Sequence, residues 1–216
     1  RTGPVQLLLY SVFRIGDATS NIRYSTYEEL AGLPQVAWAV PIALGDSHRG
    51  FRVLGTTTAY FEHFRYGDKR PLRIESGVGF ARPQEAVLGA EVADRLGYQL
   101  GDAIVVAHGA GNQDIMVHDD LPLRVTGVLE RTGTPVDRTV HVSLEGLEAI
   151  HADWQHGVRI PQRRTSAGPG EASADSSHHD QDNHTVAAAA AKPQAITAVF
   201  VGLKNRAGVH RAAIGE

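Results

Sequence analysis

The stretch PQEAVLGAEVADRLGYQLGD, residues 83–102, contains an apolar run, a short helical pattern and a turn in close succession. The apolar run before Gly89 predicts a short buried strand that ends at this glycine. Apolar residues then recur at helical spacing: Val92, Ala93 and Leu96. Gly97 predicts the end of that helix, and a second strand is expected to follow. Because no residue in the segment requires a catalytic role, we interpret it as scaffold.

The composition is that of an ordinary globular protein. The chain has 216 residues, of which 42% are hydrophobic and 21% are charged, enough for one good core or two small ones. A formal net charge of −3 gives no electrostatic reason to expect nucleic acid. Without cysteine, the chain has no disulfide, thiolate metal ligand or cysteine nucleophile. No run approaches the roughly 20 apolar residues of a membrane helix, and we interpret the chain as an excised fragment.

The first seventy residues predict a compact unit of helices and strands. The apolar run at 5–13 is interpreted as a helix, and Ser25 as the cap of a second helix. Residues 36–44 predict a buried strand, and Phe51 begins another strand after a turn. A short aromatic helix is expected at 58–64.

Beyond Tyr66 the pattern changes to short strands separated by glycines. These strands are predicted at residues 85–89, 103–108, 115–117, 121–129 and 139–142. The spacing indicates a small β-rich lobe, followed by a helix that begins at Ser143. Residues 156–192 lose apolar periodicity and predict a mobile low-complexity loop. An apolar strand at 195–203 is expected to return to the first unit, with a terminal helix from Ala207.

The order of these motifs resembles the periplasmic core domain of FtsX- and MacB-family ABC transporter permeases. Residues 83–102 are similar to the family's recurring V-L-G-x-x-x-A-x-x-L-G-x-x-x-G-D segment. Three further stretches match the family in order: GFRVLGTTTAYFEHF at 50–64, LPLRVTGVLERTGTPVDRTVHVSLEGLEAIH at 121–151, and AVFVGLKN at 198–205. Each motif alone is weak, whereas their joint order is fairly specific.

The resemblance implies an α+β fold with two lobes. A mixed α/β Porter-like lobe is expected from residues 1–70 and 193–216, with an inserted small β-rich Sabre-like lobe at 71–155 and the loop at 156–192 between them. Hinges between the lobes are expected near residues 66–70 and 192–194.

The resemblance also implies a function. The chain is expected to be a periplasmic domain of a bacterial inner-membrane permease that couples ATP-driven motion of the membrane domain to a periplasmic partner or cargo, without being an enzyme itself. The implied partners are a separate ABC ATPase subunit that acts through the full-length permease, a second permease copy or paralogue, and a periplasmic protein; nucleic acid is not expected.

Patterns of catalytic chemistry are weak in this sequence. No G-x-S-x-G nucleophile elbow occurs, and HGAGN at 108–112 is neither a dinucleotide fingerprint nor a Walker A motif, so we interpret it as a hairpin turn. In TGTPVDR, Asp137 is expected to bond to nearby backbone or to pair with Arg138. No catalytic or cofactor-binding residue is therefore assigned.

Zinc is the one cofactor for which the sequence offers candidate ligands, because the chain contains eleven histidines. His108 and His118 are expected at one rim of a hairpin, and His151 at the end of a helix could join them. Packing or helix capping is the alternative role for these three. Some permeases that the chain resembles carry histidines at similar places and accompany zinc-uptake components. The alternative function is therefore a periplasmic zinc-binding module of a metal-uptake ABC system.

Other histidines are interpreted in simpler ways. A second set of metal ligands is conceivable in the low-complexity loop, at His178, His179 and His184, although a solvated insert is the favoured interpretation. His63 lies in an aromatic stripe that is typical of a core or a lobe interface. His48, beside Arg49, is interpreted as a surface polar residue in an exposed turn.

Overall fold

The computed structural model describes residues 4–16, 21–108, 121–152, 154–155, 158–159 and 193–204. At 4, 108, 152, 154–155 and 158–159 it describes the backbone alone. Within these ranges the chain forms five α-helices: α1 (Pro4–Ser11), α2 (Tyr24–Ala31), α3 (Ala59–His63), α4 (Ala90–Leu96) and α5 (Leu144–Ala152). A short 3-10 helix occupies Pro135–Arg138. None of the helices in these ranges is long and apolar enough to cross a membrane.

The described strands are numbered in chain order. The first eight are β1 (Ile22–Arg23), β2 (Val36–His48), β3 (Phe51–Thr56), β4 (Arg65–Tyr66), β5 (Arg70–Pro71), β6 (Ile74–Gly77), β7 (Glu85–Leu88) and β8 (Ala103–Ile104). The others are β9 (Ala107–His108), β10 (Leu123–Leu129), β11 (Thr139–Ser143), β12 (Trp154–Gln155), β13 (Val158–Arg159), β14 (Ala195–Ile196) and β15 (Ala198–Leu203).

One mixed sheet of nine strands dominates the fold. Its main path has the order β15-β2-β3-β11-β7-β10-β6, while β8 pairs with β10 and β9 pairs with β2. The pairs β3–β11 and β7–β10 are parallel, and the other ladders of this sheet are antiparallel. The α+β fold class expected from the sequence is thereby confirmed.

The sheet curls because one short segment touches two distant strands. Strands β8 and β9 lie close together in the chain, yet β8 pairs with β10 and β9 pairs with β2. In the main path, β2 and β10 are separated by β3, β11 and β7. A flat sheet could not satisfy both pairings. The segment from β8 to β9 therefore brings opposite sides of the sheet together.

The central strands are buried on both faces. Successive residues of a strand point to opposite faces of a sheet. In β3, Val53 belongs to an apolar cluster that includes side chains of α4 and α5, whereas its neighbour Leu54 belongs to a second cluster with Tyr60 of α3. Burial on both sides is complete in β11, where all five residues are buried although Thr139, His141 and Ser143 are polar.

The segment at 83–102 has the structure that its sequence predicts. Strand β7 ends at Leu88, α4 begins directly after Gly89, and Gly97 ends the helix with a positive φ of 69°. The Gly97 N–H donates to the carbonyl of Ala93, which closes the last turn of the helix. The glycine at position 97 is enough to predict the end of this helix, because glycine adopts a positive φ at little energetic cost.

The predicted start of α2 is wrong. Ser25 lies inside the helix, and the residue that precedes the helix, Arg23, makes no side-chain cap hydrogen bond. The backbone N–H of Tyr24 instead donates to the carbonyl of Gln194 at 2.9 Å, and β1 pairs with β14 just before the helix. Contacts with a distant part of the chain therefore determine where this helix begins, and a local capping rule could not identify them.

Strands from both predicted lobes share the main sheet. Strands β2, β3 and β15 come from the segments assigned to the Porter-like lobe, whereas β6 to β11 come from the segment assigned to the Sabre-like lobe. The division into two lobes stays a prediction. Apart from β13, the predicted loop at 156–192 lies outside the described residues, as do the predicted strand at 115–117 and the terminal helix from 207.

Candidate functional site

A carboxylate and an imidazole meet where β2 bends. Asp46 follows Gly45, at a point where the pairing of β2 with β3 shifts register, and its side chain is buried. The Oδ2 atom of Asp46 lies 3.2 Å from Nε2 of His151 in α5. Burial lowers the pKa of His151, but the hydrogen bond and charge of Asp46 and the charge of Glu148 outweigh burial and raise the pKa above its ordinary value. The two groups therefore form an ion pair when His151 is protonated.

The backbone of a second predicted metal ligand lies beside this pair. His108 is the residue opposite Asp46 in the β2–β9 ladder. The structure thus places the backbone of residue 108 and the side chain of His151 beside the same residue, Asp46. His118 lies outside the described residues, as do His178, His179 and His184. In the described part of the chain, no group of three or more His, Cys, Asp or Glu side chains could hold a metal ion.

A cavity of about 250 Å³ adjoins the Asp46–His151 pair. Its lining includes Glu148 of α5 and Thr197, and it also includes Asp46 and His151 themselves. Asp46 is expected from the sequence to be a surface polar residue in the same turn as His48 and Arg49, and this prediction is wrong, because Asp46 is buried. Its position depends on the register shift in β2 and on the packing of α5, which are tertiary features.

The prediction that His48 is a surface residue is wrong. The side chain is 3% exposed, its Nδ1 lies 2.6 Å from the carbonyl oxygen of Val105, and its Nε2 lies 3.0 Å from the hydroxyl of Tyr98. Residue 48 continues β2, which is longer than predicted, and the segment between β8 and β9 covers it. The neighbouring Arg49 is exposed, with its guanidinium 5.9 Å from the centre of the Tyr98 ring. His48 is thus a buried structural residue.

The loop at 132–138 is ordered by the carboxylate of Asp137. One oxygen accepts hydrogen bonds from the backbone N–H and the hydroxyl of Thr132, at 2.7 and 2.8 Å, and the other accepts from the N–H of Gly133 at 2.7 Å. Arg138 approaches Glu91 of α4 instead, at 3.5 Å. Of the two expected roles of Asp137, backbone bonding is therefore the one observed.

Replacement of Asp137 by alanine is expected to destabilise the domain by about 2 kcal/mol, because two backbone N–H groups would lose their acceptor in a partly buried loop. Urea unfolding of Asp137→Ala checks this value. The matched variant Asp137→Asn keeps one carbonyl acceptor and should lose less stability. Equal stability of the wild-type protein and Asp137→Ala would contradict this role of the carboxylate.

A buried polar cluster joins Tyr60 of α3 to His141 and Arg14. Tyr60 and His141 are both fully buried, and their rings lie 5.4 Å apart. Burial raises the pKa of Tyr60 to about 12, against the opposing charge of Arg14. Burial and the charge of Arg14 together lower the pKa of His141 to about 3. The Arg14 Nη2 atom donates to the Tyr60 hydroxyl over 3.5 Å.

His63, the last residue of α3, stacks on Trp38 with ring centres 4.7 Å apart and an angle of 3° between the rings. This contact agrees with the structural role expected for it.

Helix α1 differs from the other helices, because Val5 and Leu8 are 69% and 51% exposed although they are apolar. Helix α1 therefore presents an apolar surface.

A protein-family model matches nearly the whole chain. A model of the family described as the MacB-like periplasmic core domain matches residues 5–203. Among curated proteins, none matches the sequence.

The chain is also similar to solved structures, among them the following two. One is the extracellular domain of the noncanonic ABC-type transporter YknZ from Gram-positive bacteria, which is 13% identical, with a TM-score of 0.48, over 93% of this chain and 81% of that one. The other is the periplasmic region of MacB from Actinobacillus actinomycetemcomitans, which is 15% identical, with a TM-score of 0.42, over 62% of this chain and 60% of that one.

Proposed function

The chain belongs to the MacB-like periplasmic core domain family, and from this membership we propose that it couples ATP-driven motion in the membrane to an extracytoplasmic partner or cargo. It is an extracytoplasmic domain of a MacB-like ABC transporter permease, and such permeases are not themselves enzymes. We propose in addition that the permease lies in a bacterial inner membrane and that a separate subunit hydrolyses the ATP. The family match over residues 5–203 is the observation that carries them.

The sheet supports a mechanical role. Nine strands from both halves of the chain share one hydrogen-bonded sheet, whose central strands are packed on both faces. Closely packed interiors have low compressibility, so a displacement at one side of such a sheet is transmitted to the other side. The predicted hinge at 66–70 coincides with the turn that joins β4 to β5. We expect motion between parts of the transporter to bend the chain at this turn rather than in the sheet.

The coupling proposal is tested in the full-length permease, reconstituted in proteoliposomes with its ATPase subunit. We expect replacement of residues 5–203 by a flexible Gly/Ser linker to preserve basal ATP hydrolysis and to abolish transport. A full-length permease with Gly32→Ala, an exposed change that keeps the domain folded, is the matched control and should transport normally. Normal transport without the domain would contradict the coupling role.

The zinc-binding alternative stays a prediction, and calorimetric titration with zinc tests it. If the alternative holds, zinc binds in the micromolar range, because His151 and position 108 lie beside Asp46 and could supply ligands. His108→Ala and His151→Ala should then each abolish binding. The matched variant His63→Ala, whose histidine stacks on Trp38, should bind zinc normally. Absence of micromolar binding, or binding that persists in His108→Ala and His151→Ala, would remove the alternative.

A further inference from the structure

A cavity of about 580 Å³ lies between the turn after α1 and the loop that contains the 3-10 helix. Its walls include residues 13–15, the first residues of β3, the loop at 131–138 and Glu91 of α4. Sites for small organic molecules commonly have volumes of about 300 to 1,000 Å³. The cavity is therefore large enough for an organic molecule, and no function assigned above uses it.

The lining of this cavity is positively charged. The charged residues that line it are two carboxylates, Glu91 and Asp137, and four arginines, Arg14, Arg52, Arg131 and Arg138. Both carboxylates already have partners. Asp137 accepts hydrogen bonds within its own loop, and Glu91 lies 3.0 Å from Arg95 and 3.5 Å from Arg138. Arg131 pairs with Asp94. Among the described residues that line the cavity, arginines therefore outnumber carboxylates by four to two.

Arg14 is the least compensated of these arginines. Its Nε and Nη1 atoms are buried and have no hydrogen-bond partner among the described residues, and its Nη2 atom makes only the long bond to Tyr60. An isolated buried cation is strongly unfavourable, and an arginine cannot escape this cost by releasing its proton. The backbone adds to the cost, because Arg14 has a φ of 59°, which residues with a Cβ rarely adopt.

Apolar side chains stand beside the arginines. Phe13 and Ile15 line the cavity on both sides of Arg14 in the sequence, and they are 47% and 60% exposed. Phe51 of β3 adds a further apolar wall. The cavity thus combines a cationic wall with apolar surface that would be covered by a ligand.

We propose that this cavity binds an organic anion, with a phosphate or carboxylate group toward the arginines and an apolar part against Phe13 and Ile15. Arg138, whose side chain is 61% exposed, lines the cavity and would contact the anionic group directly, while Arg52 donates to the carbonyl of Gly16 at 2.8 Å and adds its charge to the wall. Arg14 contributes its charge from inside the wall, where the low dielectric strengthens the attraction. This binding role goes beyond coupling, since it gives the domain a ligand of its own.

Phenyl phosphate is the probe, because it combines a phosphate group with a small apolar ring and does not form micelles. Calorimetric titration of the domain at low ionic strength should give saturable binding of phenyl phosphate. Inorganic phosphate should bind more weakly, and uncharged phenol should not bind. Added salt should weaken the binding of phenyl phosphate, because the attraction is electrostatic.

Three variants separate a ligand-binding role of the arginines from a structural one. Arg14→Met should weaken binding of phenyl phosphate about tenfold or more, because it removes an uncompensated charge from a low-dielectric wall. It should also leave the ligand-free protein at least as stable in urea, whereas a merely structural arginine would give a less stable variant. Arg138→Gln should weaken binding without affecting the fold, since its side chain is 61% exposed. Arg65→Gln, an exposed arginine outside the cavity lining, is the matched control and should bind normally.

Absence of saturable binding by phenyl phosphate, or unchanged affinity in both Arg14→Met and Arg138→Gln, would overturn the proposal. An equal loss of affinity in Arg65→Gln would also overturn it, because binding would then reflect only the total charge. Co-sedimentation with vesicles identifies the source of the anion. Binding to vesicles with phosphatidic acid but not to phosphatidylcholine vesicles, displaced by phenyl phosphate, indicates a lipid headgroup. Without co-sedimentation, the ligand is a soluble anion.

Discussion

Gly89→Ala is expected to destabilise the domain by about 3 kcal/mol, because the new methyl group would collide with backbone atoms that cannot rotate away. The Cβ atom of an alanine at this position would overlap the carbonyl oxygen of Val136 and lie 2.5 Å from that of Asp137. The φ of Gly89 is an ordinary −68°, so the cause is close approach and not backbone conformation. The N–H of Gly89 also donates to the carbonyl of Thr139 at 2.9 Å, which fixes the strand against this loop.

Urea unfolding followed by circular dichroism measures the effect, with Gly32→Ala as the matched control. A Cβ atom at Gly32 would lie 3.5 Å from the carbonyl oxygen of Glu28, which is an ordinary contact, and the φ of −79° suits alanine. We therefore expect Gly32→Ala to be neutral or to stabilise the domain by up to about 1 kcal/mol. If both variants lost the same stability, close packing at Gly89 would not be the reason for its presence.

The domain is expected to lose about 2 to 3 kcal/mol of stability through His141 alone as the pH falls from 7 to about 4.5. The folded protein keeps His141 neutral, because burial and the charge of Arg14 lower its pKa to about 3, whereas the unfolded chain protonates it near 6.5. Protonation therefore favours the unfolded state. The contribution is complete above pH 6.5 and is lost progressively as the pH falls toward about 3.

The variant His141→Asn isolates this effect. Asparagine cannot be protonated in this range, and its amide can still donate to the carbonyl of Val87, which lies 3.2 Å from Nδ1 of the histidine. The free energy of unfolding should vary less with pH in His141→Asn than in the wild-type protein, while other titrating groups affect both equally. His63→Asn is the matched control and should keep the wild-type pH dependence, because it leaves His141 in place. Identical pH dependence in the wild-type protein and His141→Asn would contradict a neutral buried His141.

Local sequence signals predict much of the fold here, because several elements are determined by residues close to each other. Gly89 and Gly97 delimit α4 through close packing and positive φ, and the apolar runs before and after them identify strands of the core. The parallel pairing of β7 with β10 and of β3 with β11 could not be derived in this way. Each of these pairings joins strands that are far apart in sequence, and alternation along a strand does not specify its neighbour.

Contacts between residues that are far apart in sequence also determine the candidate sites, and local patterns do not predict them. Histidines are conspicuous in a sequence, so His151 can be predicted as a candidate ligand, but its contact with Asp46 requires the bend of β2 and the packing of α5. His48 was placed on the surface because its neighbours in sequence are polar, although Tyr98 and Val105 bury it from elsewhere. Arg14 carries no signal of its own in the sequence, because its importance lies in two buried guanidinium nitrogens that have no hydrogen-bond partner among the described residues.

The position of β11 in the sheet has a consequence for the order of assembly. Strand β11 lies between β3 and β7, so in the main path each of these two strands lacks its neighbour on one side until residues 139–143 are available. On a ribosome, both strands are synthesised well before β11 and keep unsatisfied edges in the meantime. Such nonlocal pairings slow folding and expose strands to other chains. We expect chains interrupted before Thr139 to aggregate, and a chaperone that shields β3 and β7 during synthesis to raise the yield of folded domain.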